Sequence, residues 1–176
     1  MDESKMRRIL VTGGARSGKS RFALRSAEGM GDRRLFIATA QALDEEMKDR
    51  INAHRRDRGK TWKTLDEPFN ILEAVESGIR TCDVILLDCI TLWLTNIYLR
   101  DGGAGTQKAV EDFSGFISEE CRTNIVMVTN EVGFGIVPEN PMAREFRDVA
   151  GFANQRLAEV CDEVYLVVCG IPARLK

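Results

Sequence analysis

"RILVTGGARSGKS", residues 8–20, is the stretch on which the reading of the fold turns. An apolar run gives way to a glycine-rich turn, and lysine and serine then open a helical pattern. Residues 13–20 fit G-x-x-x-x-G-K-[ST], with Gly13, Gly18, Lys19 and Ser20 at the fixed places and Gly14, Ala15, Arg16 and Ser17 between them. The glycines let the backbone curl so that successive amides point inward at phosphate oxygens. The helix N-terminus that follows adds positive potential. In this arrangement Lys19 reaches the β- and γ-phosphates and Ser20 binds Mg²⁺. The competing reading is a chance match or a purely structural turn, which the strand–loop–helix context disfavours.

The same grammar repeats outward from this loop. "LFIATA" (35–40), "DVILLD" (83–88), "NIVMVTN" (124–130) and "EVYLVVCG" (163–170) are continuously apolar rather than alternating, as strands covered on both faces are. Helical patterns fall near 18–28, 42–58, 69–79, 90–100, 107–122 and 140–161, with loops at 29–32, 101–105 and 133–141. Strand-then-helix order predicts an α/β chain, P-loop NTPase-like, with a mainly parallel sheet and helices on both faces, as one domain over residues 1–176. Ligands of such sheets bind beyond the strand C-terminal ends. That makes 13–20, 39–43, 89–91, 130–141 and 169–174 candidate site segments.

Composition narrows the class. Twenty-five basic residues against 27 acidic ones leave a net charge of −2, which argues against a general nucleic-acid partner. The five cysteines, Cys82, Cys89, Cys121, Cys161 and Cys169, form no C-x-x-C pair, so they read as buried reduced thiols rather than disulfides or a zinc site. The charged start, "MDESKMRR", lacks the apolar core of a signal peptide. The longest apolar stretch, residues 84–99, is interrupted by Asp88, Thr91, Thr95 and Asn96, so no transmembrane segment is expected and the setting reads as cytoplasmic.

Asp88 ends its strand and reads as the carboxylate on the magnesium side of the phosphate loop. The next strand ends in "TNEV" (129–132), without the N-K-x-D that reads guanine in regulatory GTPases, which leaves small-molecule kinases open. The loop "NEVGFGIVPENP" (130–141) is either a structural crossover or a surface facing substrate or another subunit. Arg144, Arg147 and Asp148 beyond it read as surface ion pairs without an assigned role.

The single histidine sits in "DRINAHRRDRGKTW" (49–62). Acidic Asp44, Glu45 and Glu46 open this helix and basic residues close it, as the macrodipole favours. Leu43, Met47 and Ile51 form an apolar stripe that His54 and Arg58 continue. One reading is a packed, structural histidine. The other is a nucleophile, since a neutral imidazole attacks phosphorus and neighbouring arginines offset the phosphate charge. The far end of a helix in this position ordinarily points away from the phosphate rim, so the second reading requires a displaced helix or a neighbouring subunit.

With "ILVTGGARSGKSRFA", "INAHRRDR", "LLDCITLWLTN" and the block 129–172 in view, the chain resembles the bifunctional adenosylcobinamide kinase/adenosylcobinamide-phosphate guanylyltransferase family of cobalamin biosynthesis, over nearly its whole length. The resemblance implies a homotrimer with nucleotide sites at subunit interfaces, and two reactions. ATP or GTP phosphorylates adenosylcobinamide, and GMP from GTP then passes through a GMP-histidine to the new phosphate, giving adenosyl-GDP-cobinamide. It implies Mg²⁺ at Ser20 and Asp88, and His54 as the guanylylated residue beside catalytic Lys19. Nucleotide contacts are implied at 13–20, Ala38, Thr39, Ala40, Arg55, Arg56, Asp57, Arg58, Asp66 and Asp88. Gly59 stands where the family often has proline, and Asp66 where many members have glutamate. Two alternatives stay open: a simple P-loop kinase for another small alcohol, with His54 structural, and a non-catalytic nucleotide-gated binding protein.

Overall fold

The computed structural model describes residues 6–176, without the side chains of Arg50, His54, Asp57 and Lys60. Its elements are β1 (Arg8–Thr12), α1 (Lys19–Glu28), β2 (Arg34–Ala38), α2 (Glu45–Arg58), a 3₁₀ turn (Gly59–Thr61) and β3 (Trp62–Asp66). There follow α3 (Ile71–Ile79), β4 (Val84–Asp88), α4 (Ile90–Glu119), β5 (Asn124–Val128), α5 (Pro141–Val160), β6 (Glu163–Val168) and β7 (Ile171–Arg174). The sheet order is β3-β2-β4-β5-β1-β6-β7. All neighbours run parallel except the β6–β7 hairpin. This is the P-loop NTPase-like α/β fold.

Burial explains the continuous apolar runs. In β4, Val84, Ile85, Leu86 and Leu87 are all buried, because helices cover both faces. Leu35, Ile37, Ile85 and Leu87 pack with α3, α4 and α5. Phe36, Ala38, Val84 and Leu86 pack on the α1 side with Ala23 and Ala27. Truncating a fully enclosed residue such as Ile85 to alanine costs roughly 2–5 kcal/mol. Register then sets the rim, where Asp88 stands opposite both Ala38 and Val128, and Ala38 opposite Asp66.

The structure departs from the sequence reading in four places. β3 and β7 were not expected as strands. Both are edges, β3 with Lys63, Thr64 and Asp66 exposed or half-exposed and β7 exposed throughout, so neither carries a buried apolar run. The glycine-rich segment 101–105 separates two helical runs, as expected, but by a kink rather than by a five-residue loop. It lies inside α4, where Gly102 (φ 71°) alone leaves helical geometry and kinks the helix. Leu43 lies outside α2 and is 82% exposed, because Asp44 caps the helix by accepting from the Met47 amide. Among the cysteines, Cys89, Cys121 and Cys161 are buried, Cys82 is half-buried and Cys169 is exposed.

Candidate active site

The phosphate loop is braced from three sides. The Ser17 amide donates to the Gly14 carbonyl, the Glu131 amide to the Gly13 carbonyl, and the Gly170 amide to the Ser17 carbonyl. The loop passes through left-handed backbone at Arg16 (φ 55°) and Gly18 (φ 93°). A Cβ at Gly13 would stand 2.5 Å from the Val167 carbonyl oxygen, so only glycine fits there. α1 begins at Lys19 with its first amides directed out of the helix end. Lys19 is buried, and its Nζ donates to the Gly14 carbonyl at 2.9 Å.

Above this loop lies a cavity of about 300 Å³. Its walls take Ala15, Arg16, Lys19 and Ser20 from the loop, Ala38 and Ala40 beyond β2, and Asp88 beyond β4. The roof comes from α2 of the same chain, through Met47, Ile51 and Arg58. This corrects the expectation that the far end of that helix points away. α2 has few apolar residues to bury, so it does not lie flat on the sheet. It is tethered by the Arg58 guanidinium, stacked 3.6 Å from the Phe36 ring centre, and by an Arg55–Asp66 ion pair at 2.6 Å. The space beneath it is the cavity. Position 54 lies in α2, three residues after Ile51 and four before Arg58. The side chains of His54 and Asp57 lie outside the described residues.

Arg58 is 8% exposed, and among the described residues no acceptor meets its Nε. Burial pushes its pKa below the ordinary arginine value, with Asp88 the leading opposing charge. The guanidinium nonetheless stays charged at any working pH. A buried cation facing Lys19 and Ser20 across a cavity is suited to an anion. Arg58→Met keeps an apolar stem on Phe36 but removes the fork. It is expected to raise the nucleotide Kd about tenfold or more, read by calorimetric titration with GTP. An unchanged Kd would make Arg58 a packing residue only.

Other expected site residues fall differently. The buried Thr39 hydroxyl donates to the Cys89 carbonyl and accepts from the Cys89 amide, so it fixes the strand ends rather than facing the cavity. Arg56 is exposed, and Arg55 and Asp66 pair with one another, neither lining the cavity. Burial pushes the Cys89 thiol up to about 12, so it lines the cavity as a neutral group. Ser20 and Asp88 both face the cavity and supply the oxygen donors Mg²⁺ prefers. Among the described residues no three His, Cys, Asp or Glu side chains cluster as a metal site, so phosphate oxygens and water would complete its shell.

The sequence reading named 130–141 as a candidate segment, but singled out neither Asn130 within it nor the part played by two arginines beyond it. Asn130 lines the cavity. Its amide donates to the Thr91 hydroxyl and its carbonyl accepts from Asn154. Its place at the end of β5 was the available signal. Arg144 and Arg147 are not surface ion pairs. Arg144 donates to the Pro138 and Glu139 carbonyls, and Arg147 to those of Gly133 and Ile136, stapling the 130–141 loop onto α5.

Comparison with known proteins adds the following. A family model described as cobinamide kinase / cobinamide phosphate guanyltransferase matches residues 9–175. The bifunctional adenosylcobalamin biosynthesis protein CobU of Salmonella typhimurium is 44% identical, over 96% of this chain and 99% of that protein. CobU of Escherichia coli K12 is 43% identical over the same shares. CobP of Pseudomonas aeruginosa is 42% identical, over 96% of this chain and 97% of its own length. Among solved structures, the RadB recombinase superposes with a TM-score of 0.52 at 12% identity, covering 90% of this chain and 72% of that one, which is a likeness of fold alone.

Proposed function

The chain belongs to the cobinamide kinase / cobinamide phosphate guanyltransferase family, and we propose from that membership that it performs two transfers at one phosphate loop. In the first, the side-arm hydroxyl of adenosylcobinamide attacks the γ-phosphorus of ATP or GTP. The bond to the β–γ bridging oxygen breaks, the nucleoside diphosphate leaves, and the hydroxyl proton passes to solvent. Lys19 and the α1 amides hold the phosphates and offset the charge spread over the transferring group. Mg²⁺, held by Ser20 and Asp88, would neutralise further phosphate charge.

In the second transfer a His54 ring nitrogen attacks the α-phosphorus of GTP and pyrophosphate leaves. An oxygen of cobinamide phosphate then attacks the same phosphorus, the P–N bond breaks, and adenosyl-GDP-cobinamide forms. The observation that carries this reading is the roof of the cavity. Ile51 and Arg58 face the phosphate loop within one chain, and position 54 follows the first by three residues and precedes the second by four, a spacing that supports a shared helix face. Wild-type protein incubated with GTP and Mg²⁺ is expected to gain the mass of one GMP, in an acid-labile, comparatively base-stable bond. Its absence under turnover conditions would remove the covalent step.

The proposed setting is the cytoplasm and the proposed active species a homotrimer. No helix among the described residues is long and apolar enough to cross a membrane. Exposed Phe134, Ile136 and Val137 on the stapled loop supply apolar surface for subunit contact. Light scattering at working concentration is expected to give three times the chain mass, with activity falling on dilution as the trimer dissociates. A fully active monomer would overturn the assembly.

A further inference from the structure

A second cavity, of about 330 Å³, adjoins the first and shares Met47 and Leu92 with it. One face of α4 builds its floor. Leu92, Thr95, Asn96, Leu99 and Arg100 recur at helical spacing on that face, while Trp93, Leu94 and Ile97 turn into the core. The stripe starts at the phosphate cavity and leads roughly 12 Å away from it along the helix axis. Its outer end is apolar and open, with Leu43 82% and Leu99 69% exposed. Its polar lining mixes acceptors with the Arg100 guanidinium. Gln41 Nε2 donates to Asn96 Oδ1 and the Thr95 hydroxyl donates to the Thr91 carbonyl, so the Gln41 carbonyl and the Thr95 oxygen keep accepting capacity. Phe69 closes one side beneath the Arg100 guanidinium, 4.9 Å from its ring centre.

We propose that this second cavity is the acceptor subsite, seating the amide-bearing side arm and apolar ring edge of the corrinoid so that its hydroxyl enters the first cavity past Met47 and Leu92. The proposal rests on the kinase reading above. A nucleotide's phosphates take the first cavity. The second opens onto it, combines apolar walls with acceptors for amide N–H groups, and is open enough for a ligand much larger than itself to remain partly outside.

Leu99→Trp fills the mouth at an exposed position that the fold does not depend on. Cobinamide is used as the probe. Equilibrium dialysis on its visible absorption, with no nucleotide present, is expected to show a Kd raised about tenfold, with Leu99→Met close to wild type. In kinase assays the acceptor KM is expected to rise by the same factor, with the nucleotide KM and GMP-adduct formation unchanged. An unaltered cobinamide Kd overturns the proposal. So does a raised nucleotide KM, which would make the cavity a base pocket. Wild-type protein that binds cobinamide but phosphorylates none would sink the kinase reading while leaving the dialysis result to judge the subsite.

Discussion

Lys19→Ala is expected to lower phosphoryl transfer to cobinamide about a thousandfold while the chain stays folded. The side chain donates to the Gly14 carbonyl, a bond worth about 1 kcal/mol net. The loop keeps its shape through backbone bonds at Gly13, Gly14 and Ser17 that the substitution does not touch, and alanine suits the first turn of α1. What is lost is a buried positive charge beside the transferring phosphate, and that charge matters most in the transition state. The loss therefore falls mainly on kcat rather than on nucleotide KM. Steady-state kinetics with circular dichroism as the fold control check this. Near wild-type turnover would refute the assignment of the phosphate loop.

His54→Ala is expected to abolish GMP transfer, and with it the GMP mass increment, while phosphorylation of cobinamide persists at a measurable rate. In the proposed scheme the two reactions separate, because γ-phosphoryl transfer would use the loop, Asp88 and Mg²⁺, whereas α-phosphoryl transfer through a covalent intermediate would use a nitrogen nucleophile on α2. His54→Asn keeps a similar shape and should behave like the alanine variant. If the asparagine variant retained the adduct, the nucleophile would lie elsewhere. If both transfers failed in both variants, the position would be chiefly structural.

The centre of the fold and the phosphate loop were legible because their physics is local. A continuous apolar run such as Val84–Leu87 can be satisfied only between two layers of helix, and G-x-x-x-x-G-K-S dictates its own backbone. What escaped was set by distant partners. β3 exists because β2 offers it a free edge, not because its own residues alternate cleanly. β7, with Pro172, needs β6 to pair with. Gly102 reads as a loop in isolation, yet helix on both sides absorbs it as a kink. The course of α2 was left open between a displaced helix and a neighbouring subunit, because its tether is a cation on an aromatic ring, and the pairing of Arg58 with Phe36 leaves no periodic trace. Arg144 and Arg147 bond to backbone carbonyls, which composition does not reveal.

The hairpin between β6 and β7 has a consequence for the order in which the molecule is built. Cys169 and Gly170 form its two-residue turn, both with positive φ, and Gly170 holds the phosphate loop through Ser17. β1 itself lies between β5 and β6. During synthesis the loop leaves the ribosome well before the neighbours of its flanking strand, which pairs only when residues 124–128 and then 163–168 emerge. The buttress at 170 arrives later still. The nucleotide site is thus encoded early and shaped late, and closing so long a stretch of chain carries the entropy that slows folds rich in distant contacts. A growing polypeptide has no finished phosphate grip until the β6–β7 turn has emerged.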